Sequence, residues 1–153
     1  MLLARGADAQ RLLGTALARQ QVRKDYQAIV HGRLPPAGRD DDWQVIDLPL
    51  RPDWPNRPRS RVDLAHGKPS RTLVRPLAWD AASGTTRVAL QAVTGRSHQL
   101  RLHLAALGHP IVGDALYGPP GDPAPRMLLH ACALGLAHPH TGDRLELRST
   151  VPF

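Results

Sequence analysis

Proline and glycine limit how long any element of this chain can be. Fifteen prolines and thirteen glycines are spread through 153 residues. Proline fixes φ and removes a backbone donor, and glycine admits turn conformations closed to other residues. Punctuation at this density selects short elements joined by many turns, without internal repeats or long helices. At this length the chain makes one domain around one core. Aromatic residues are few (three Trp, two Tyr, one Phe), so the core must be aliphatic.

Between the breaks, hydrophobic periodicity assigns the elements. Met1-Leu-Leu-Ala4 is a bare apolar run that reads as the tail of a buried strand, ended by Arg5-Gly6. Residues 7 to about 22 form a helix, with Leu12, Leu13, Ala16 and Leu17 on one face and Arg23-Lys24 at its negative end. Residues 25–31 alternate as a strand, with Tyr26, Ala28 and Val30 on one side. A loop over 32–42 leads to a short strand at 45–48. The four prolines within 49–58 argue against a regular element there. Residues 61–64 read as a strand, His66-Gly-Lys-Pro69 as a hairpin turn, and 70–79 as the return strand. A turn at 82–84 precedes the cleanest alternation in the chain, 85–93. Residues 119–125 read as a mobile loop, 128–136 as a strand or short helix, and 144–148 as a last strand. The fold class is therefore α+β, a mixed, mostly antiparallel sheet with flanking helices.

The stretch with the most chemistry is Thr94-Gly-Arg-Ser-His-Gln-Leu-Arg101 and the helix it opens. Leu100, Leu104 and Leu107 fall at helical spacing, and Gly108 supplies the stop. Arg96, Ser97, His98, Gln99 and Arg101 crowd the start of the helix, where free N–H groups and the dipole favour an anion. A solvated surface helix fits the same spacing. Net charge supports the anionic reading. Twenty basic side chains, all but two of them arginine, stand against thirteen acidic ones, leaving +7. Such an excess suits a polyanionic partner, and arginine's planar fork suits phosphate. A base composition rich in G and C would explain arginine's dominance over lysine, though not the surplus of charge.

Other classes of chemistry find little support. His98, His103 and His109 lack the i, i+4 spacing of a helix-borne zinc site, and His138-Pro-His140 has no Cys or carboxylate cluster beside it. There is no G-x-S-x-G elbow, no P-loop and no G-x-G-x-x-G. Asp114 is either a catalytic carboxylate or the stabiliser of an Asx turn. One cysteine, Cys132, excludes a disulfide within the chain and fits a reducing compartment. With no apolar run near the roughly 20 residues of a membrane span, the chain reads as soluble and cytoplasmic.

Eight short motifs occur in order: Lys24-x-Tyr26-x-Ala28-x-Val30-x-Gly32, Pro49-Leu50, Gly67-Lys68-Pro69, Thr94 to Arg101, Leu107-Gly-His-Pro110, Gly113-Asp114-x-Leu-Tyr-Gly118, Leu129-His-Ala131 and His138-Pro-x-Thr-Gly142. Together they resemble the catalytic domain of the RluA family of pseudouridine synthases, over nearly the whole chain. Asp53-Trp-Pro-Asn-Arg-Pro58 resembles the branch of that family that modifies both 23S rRNA and tRNA. The resemblance implies isomerisation of uridine to pseudouridine in RNA, without metal or organic cofactor, on a base flipped out of its stack. It implies that Tyr26 stacks on the base and handles a proton at C5. It implies that Arg96 pairs with a catalytic aspartate, holding it ionised as a nucleophile. Residues 53–72 resemble the loop that closes on RNA, so Arg57, Arg59, Arg61, Lys68 and Arg71 are expected at phosphates, and His98, Gln99 and Arg101 at the RNA near the cleft.

One element of the family pattern is missing. Its aspartate belongs to a His-Arg-Leu-Asp run just ahead of an apolar strand, and no such run occurs in this chain. By that comparison the motif falls ahead of residue 1, and residues 1–153 correspond to the C-terminal portion of the catalytic domain. None of Asp25, Asp53, Asp63 or Asp114 has the right context to replace it. The expectation is an N-terminally truncated chain with an exposed apolar sheet edge and low activity. The alternatives are a non-catalytic RNA-binding remnant and, more remotely, a metal-dependent hydrolase.

Overall fold

The computed structural model describes residues 2–38 and 42–153. Helix α1 (Ala7–Ala18) precedes strand β1 (Arg23–His31), followed by β2 (Gln44–Asp47), β3 (Leu50–Pro52), a 3-10 turn at Trp54–Asn56 and β4 (Ser60–Val62). Next come β5 (Arg71–Asp80), β6 (Thr85–Ala92), helix α2 (Gln99–Ala106), β7 (Leu129–Ala137) and β8 (Arg144–Arg148). Six strands form one sheet in the order β2-β5-β6-β1-β7-β8, and β3 and β4 form a separate ribbon. Every ladder among them is antiparallel, as expected where turns rather than helical crossovers join the strands. The α+β class stands.

Strand β1 lies inside the sheet, between β6 and β7. Ala28 and Val30 are fully buried, beside Val88 and Leu90 of β6, Val74 of β5, and Leu100 and Leu104 of α2. Each of these valine and leucine side chains contributes about 1.5–3 kcal/mol on burial, enough to seat α2 on the sheet. A second, smaller cluster joins Leu13 of α1 to Val22 and Leu136, with Leu2 packed against it.

Five expectations need correction. First, α1 ends at Ala18, four residues before Val22. Gln20 adopts φ 57°, its N–H donates to the Leu17 carbonyl, and the N–H of Gln21 donates to that of Ala16. This is a Schellman stop with glutamine in the position glycine usually takes, so composition did not announce it. Arg23 and Lys24 consequently open β1 instead of closing the helix. Second, Leu2 to Arg5 form no strand; Leu2 packs as irregular chain on the second cluster, and Met1 lies outside the described residues.

Third, the proline-rich 49–58 contains β3, paired with β4. The ribbon tolerates Pro49, Pro52, Pro55 and Pro58 because the N–H donors it needs come from Leu50, Asp53, Asn56 and Arg59. Fourth, His66–Pro69 does not join a β4–β5 hairpin. Lys68 pairs back with Leu50, while β5 pairs with β2 and β6. Fifth, the segment at 119–125, read as mobile, is held by Asp122. Its carboxylate accepts from Gly113 N–H, Ala124 N–H and His31, and these donors lower its pKa to about 2.

Gly113 shows how tightly the chain turns under α2. Its φ is +77°, and a Cβ there would lie 2.0 Å from the Arg126 carbonyl oxygen. Gly113→Ala is expected to cost at least about 1–2 kcal/mol from the left-handed backbone alone. The clash with backbone adds to that cost, and a lowered urea midpoint would measure it.

Candidate RNA-modification site

The segment that crowds α2 with polar residues folds differently from a simple helix start. α2 begins at Gln99, so Arg96, Ser97 and His98 precede it in an irregular turn. His98 sits at φ 57° and ψ 19°, which swings its ring away from the helix and toward Tyr117. Its Nδ1 lies 2.9 Å from the Tyr117 hydroxyl. Burial first, and then the positive charge of Arg101, lower the His98 pKa.

A cleft of about 260 Å³ opens between this turn and β1, lined by Lys24, Tyr26, Thr94, Arg96, His98 and Arg101, among others. Tyr26 faces it from mid-strand, opposite Leu90 of β6 and Ala131 of β7. The β1–β7 register shifts between Asp25 and Tyr26 because β7 carries one extra residue there, Cys132. Burial raises the Tyr26 pKa, so its resting form is the neutral phenol. Arg96 is exposed at the rim rather than buried. Its Nε and one terminal nitrogen each lie 3.4 Å from the Pro69 carbonyl oxygen. Among the described residues no carboxylate lies within ion-pair distance of it.

Two expected RNA contacts are instead internal struts. Gln99 is buried: its Oε1 accepts from Thr94 Oγ1 and Arg96 N–H, while its Nε2 donates to the Arg71 carbonyl and Thr72 Oγ1. All its amide capacity is spent inside the protein. Arg101 forks onto Asp114, Nε to Oδ2 at 2.7 Å and a terminal nitrogen to Oδ1 at 2.6 Å. The Asp114 side chain is fully buried, and its Oδ1 also accepts from Leu116 and Tyr117 N–H. Burial pushes this carboxyl's pKa up, but Arg101 and the two amides outweigh it and leave it below the ordinary value. Of the two roles open to Asp114, the Asx turn is the one observed.

The cations of the 49–71 excursion sort into two groups. Arg61 and Arg51 both reach Asp63 at 3.2 Å, and Arg71 is paired with Asp47 at 2.7 Å. Arg57, Arg59 and Lys68 are exposed, and the Arg57 guanidinium stacks 3.5 Å over the exposed Trp54 ring. Tyr117, which sequence reading passed over, fastens this ribbon to the cleft. Its hydroxyl accepts from Ser60 N–H at 2.7 Å and meets His98, and Arg101 lies over its ring at 5.1 Å. A buried His103 likewise ties α2 to β5 through Thr72 and to the residue after β2 through the Leu48 carbonyl. Tyr117 and His103 stand in the quoted motifs or beside them, but their partners lie far away in sequence.

The profile of a family described as RNA pseudouridylate synthase matches residues 1–106. The chain belongs to this family. It is 43% identical over 155 residues to the dual-specificity RNA pseudouridine synthase RluA of Pasteurella multocida, covering 100% of this chain and 68% of that protein. It is 42% identical to the protein of the same name from Escherichia coli K12, covering 95% of this chain and 64% of the relative. This pseudouridylate synthase chain thus spans about two thirds of the length of those relatives. Among solved structures, human RNA pseudouridylate synthase domain containing 1 superposes with TM-score 0.79 at 29% identity, covering 97% of this chain and 62% of the other. The human domain containing 4 shares the fold, with TM-score 0.70 at 22% identity.

Proposed function

We propose that this protein isomerises uridine to pseudouridine in structured RNA, with stem-loops of 23S rRNA and tRNA as substrates. The reading rests on one observation above the family membership. Tyr26 and Arg96, remote in sequence, line a single cleft beside a ribbon that presents Arg57 and Arg59, which have no carboxylate partner among the described residues. The flipped base enters the cleft and stacks on Tyr26, whose phenol lies near C5. Arg96 holds the nucleophilic carboxylate ionised, and the neighbouring cations take the backbone phosphates. The carboxylate itself is assigned to no aspartate here, because Asp114 is already committed to Arg101. We place the activity in the cytoplasm, where its RNA substrates are; no helix among the described residues is long and apolar enough to cross a membrane.

A second reading, RNA binding without catalysis, is favoured by the carboxylate-free surroundings of Arg96. One experiment separates the two. The purified chain is incubated with 23S and tRNA transcripts labelled at uridine C5, and label release is followed alongside binding. Release that Tyr26→Phe abolishes supports the enzyme. Salt-dependent binding without release supports the second reading, and absence of both overturns them together.

A further inference from the structure

Lys24 stands on β1 two residues before Tyr26, on the same face, so their Cα atoms are about 6.5 Å apart. Its side chain lines the cleft shared with Tyr26 and Arg96, and also the neighbouring apolar hollow of about 400 Å³ beneath α1. The ammonium reaches the backbone at Gly95: a Cβ on that glycine would sit 3.6 Å from Nζ. Around it, three neighbouring cations are compensated. Arg23 is held by Asp25, Arg71 by Asp47 and Arg101 by Asp114. Among the described residues Lys24 has neither a carboxylate nor a hydrogen-bond acceptor, and burial lowers its pKa with nothing opposing it. The adjacent Asp25 is engaged by Arg23 at 2.7 Å.

A half-buried ammonium without a partner weakens the folded state. Arg96, on the same cleft, adds a second positive charge without a carboxylate. The Lys24 ammonium beside the Tyr26 ring fits a ligand that carries an anion and a flat ring within one unit, which describes a nucleotide in a polynucleotide.

We propose that Lys24 is a substrate-positioning residue that binds the backbone phosphate next to the nucleotide whose base lies on Tyr26. The assignment rests on the RNA reading above and adds a contact the motif comparison did not include. It is tested in the whole chain with Lys24→Met and Lys24→Arg, using a tRNA transcript and a 23S stem-loop transcript as probes. Binding is measured by fluorescence anisotropy through a salt series, and thermal unfolding is followed in parallel.

Lys24→Met is expected to bind about tenfold more weakly and to lower the slope of log affinity against log salt by about 0.7–1. Its thermal midpoint stays level or rises, because an uncompensated charge has been removed. Lys24→Arg restores the slope. An unchanged slope in Lys24→Met, with wild-type binding intact, overturns the assignment while leaving the RNA reading in place. A fall in thermal midpoint that accounts for the lost affinity also overturns it, since that is a packing role. If the unsubstituted chain shows no salt-dependent binding, the RNA reading fails and the assignment falls with it.

Discussion

Asp114→Ala is expected to remove about 3–5 kcal/mol of stability, the usual consequence of breaking a buried ion pair from one side. Domains of this kind hold roughly 5–15 kcal/mol in all, so the variant should be largely unfolded at mild urea concentrations. Three losses coincide. Arg101, only 16% exposed, keeps its charge without its carboxylate. The N–H groups of Leu116 and Tyr117 lose their acceptor. The turn that carries Tyr117 to Ser60 and His98 then loosens, so the ribbon comes away from the cleft. Asp114→Asn retains an acceptor for the turn and should cost less. Acid should mimic the alanine variant. The folded carboxyl titrates below its ordinary value, so its contribution is complete above the unfolded pKa of about 3.9. The contribution is lost as pH falls from there through the lowered folded value. Urea titrations at falling pH should show this loss in the unsubstituted chain and a flatter profile in Asp114→Ala.

Joint replacement of Arg57, Arg59 and Lys68 by glutamine should give the largest loss of RNA binding. Each neutralised phosphate contact contributes about 0.7–0.9 to the salt slope, so three should lower it by roughly 2–3. Among the described residues these three are the cations of the excursion without a carboxylate partner. Arg61→Gln and Arg71→Gln should change the slope little, because Asp63 and Asp47 already hold those guanidinium groups. Breaking such exposed pairs should cost no more than about 1 kcal/mol of stability. Anisotropy titrations on the same transcripts distinguish the two groups. A uniform loss across all five positions would mean that ion pairing does not sort them.

Much of the sheet was legible because its strands repeat with period two. The alternation at β1 and β6 named the buried Ala28, Val30, Val88 and Leu90, and the turn at 82–84 joined β5 to β6. Missed elements were those whose determinants are non-local. The stop at Gln20 used a residue without turn preference, and β3 hid among prolines because few of the N–H groups there are needed. Of the site, Tyr26 and Arg96 could be named from their motifs. Gln99 and Arg101 were named from the same motif and given to RNA, yet both are turned inward by partners that lie elsewhere in the chain.

Residue order by itself determined the family, the α+β class, the basic surplus and the identity of the residues around the cleft, because each depends on spacing or charge along the chain. Only the tertiary structure decided which cations are free. Arg101 and Lys24 are both basic residues in recognisable motifs, and nothing local distinguishes them. Among the described residues, folding brings a carboxylate to Arg101 and none to Lys24, so one is a structural tie and the other is left without a counter-ion in a partly dehydrated cleft.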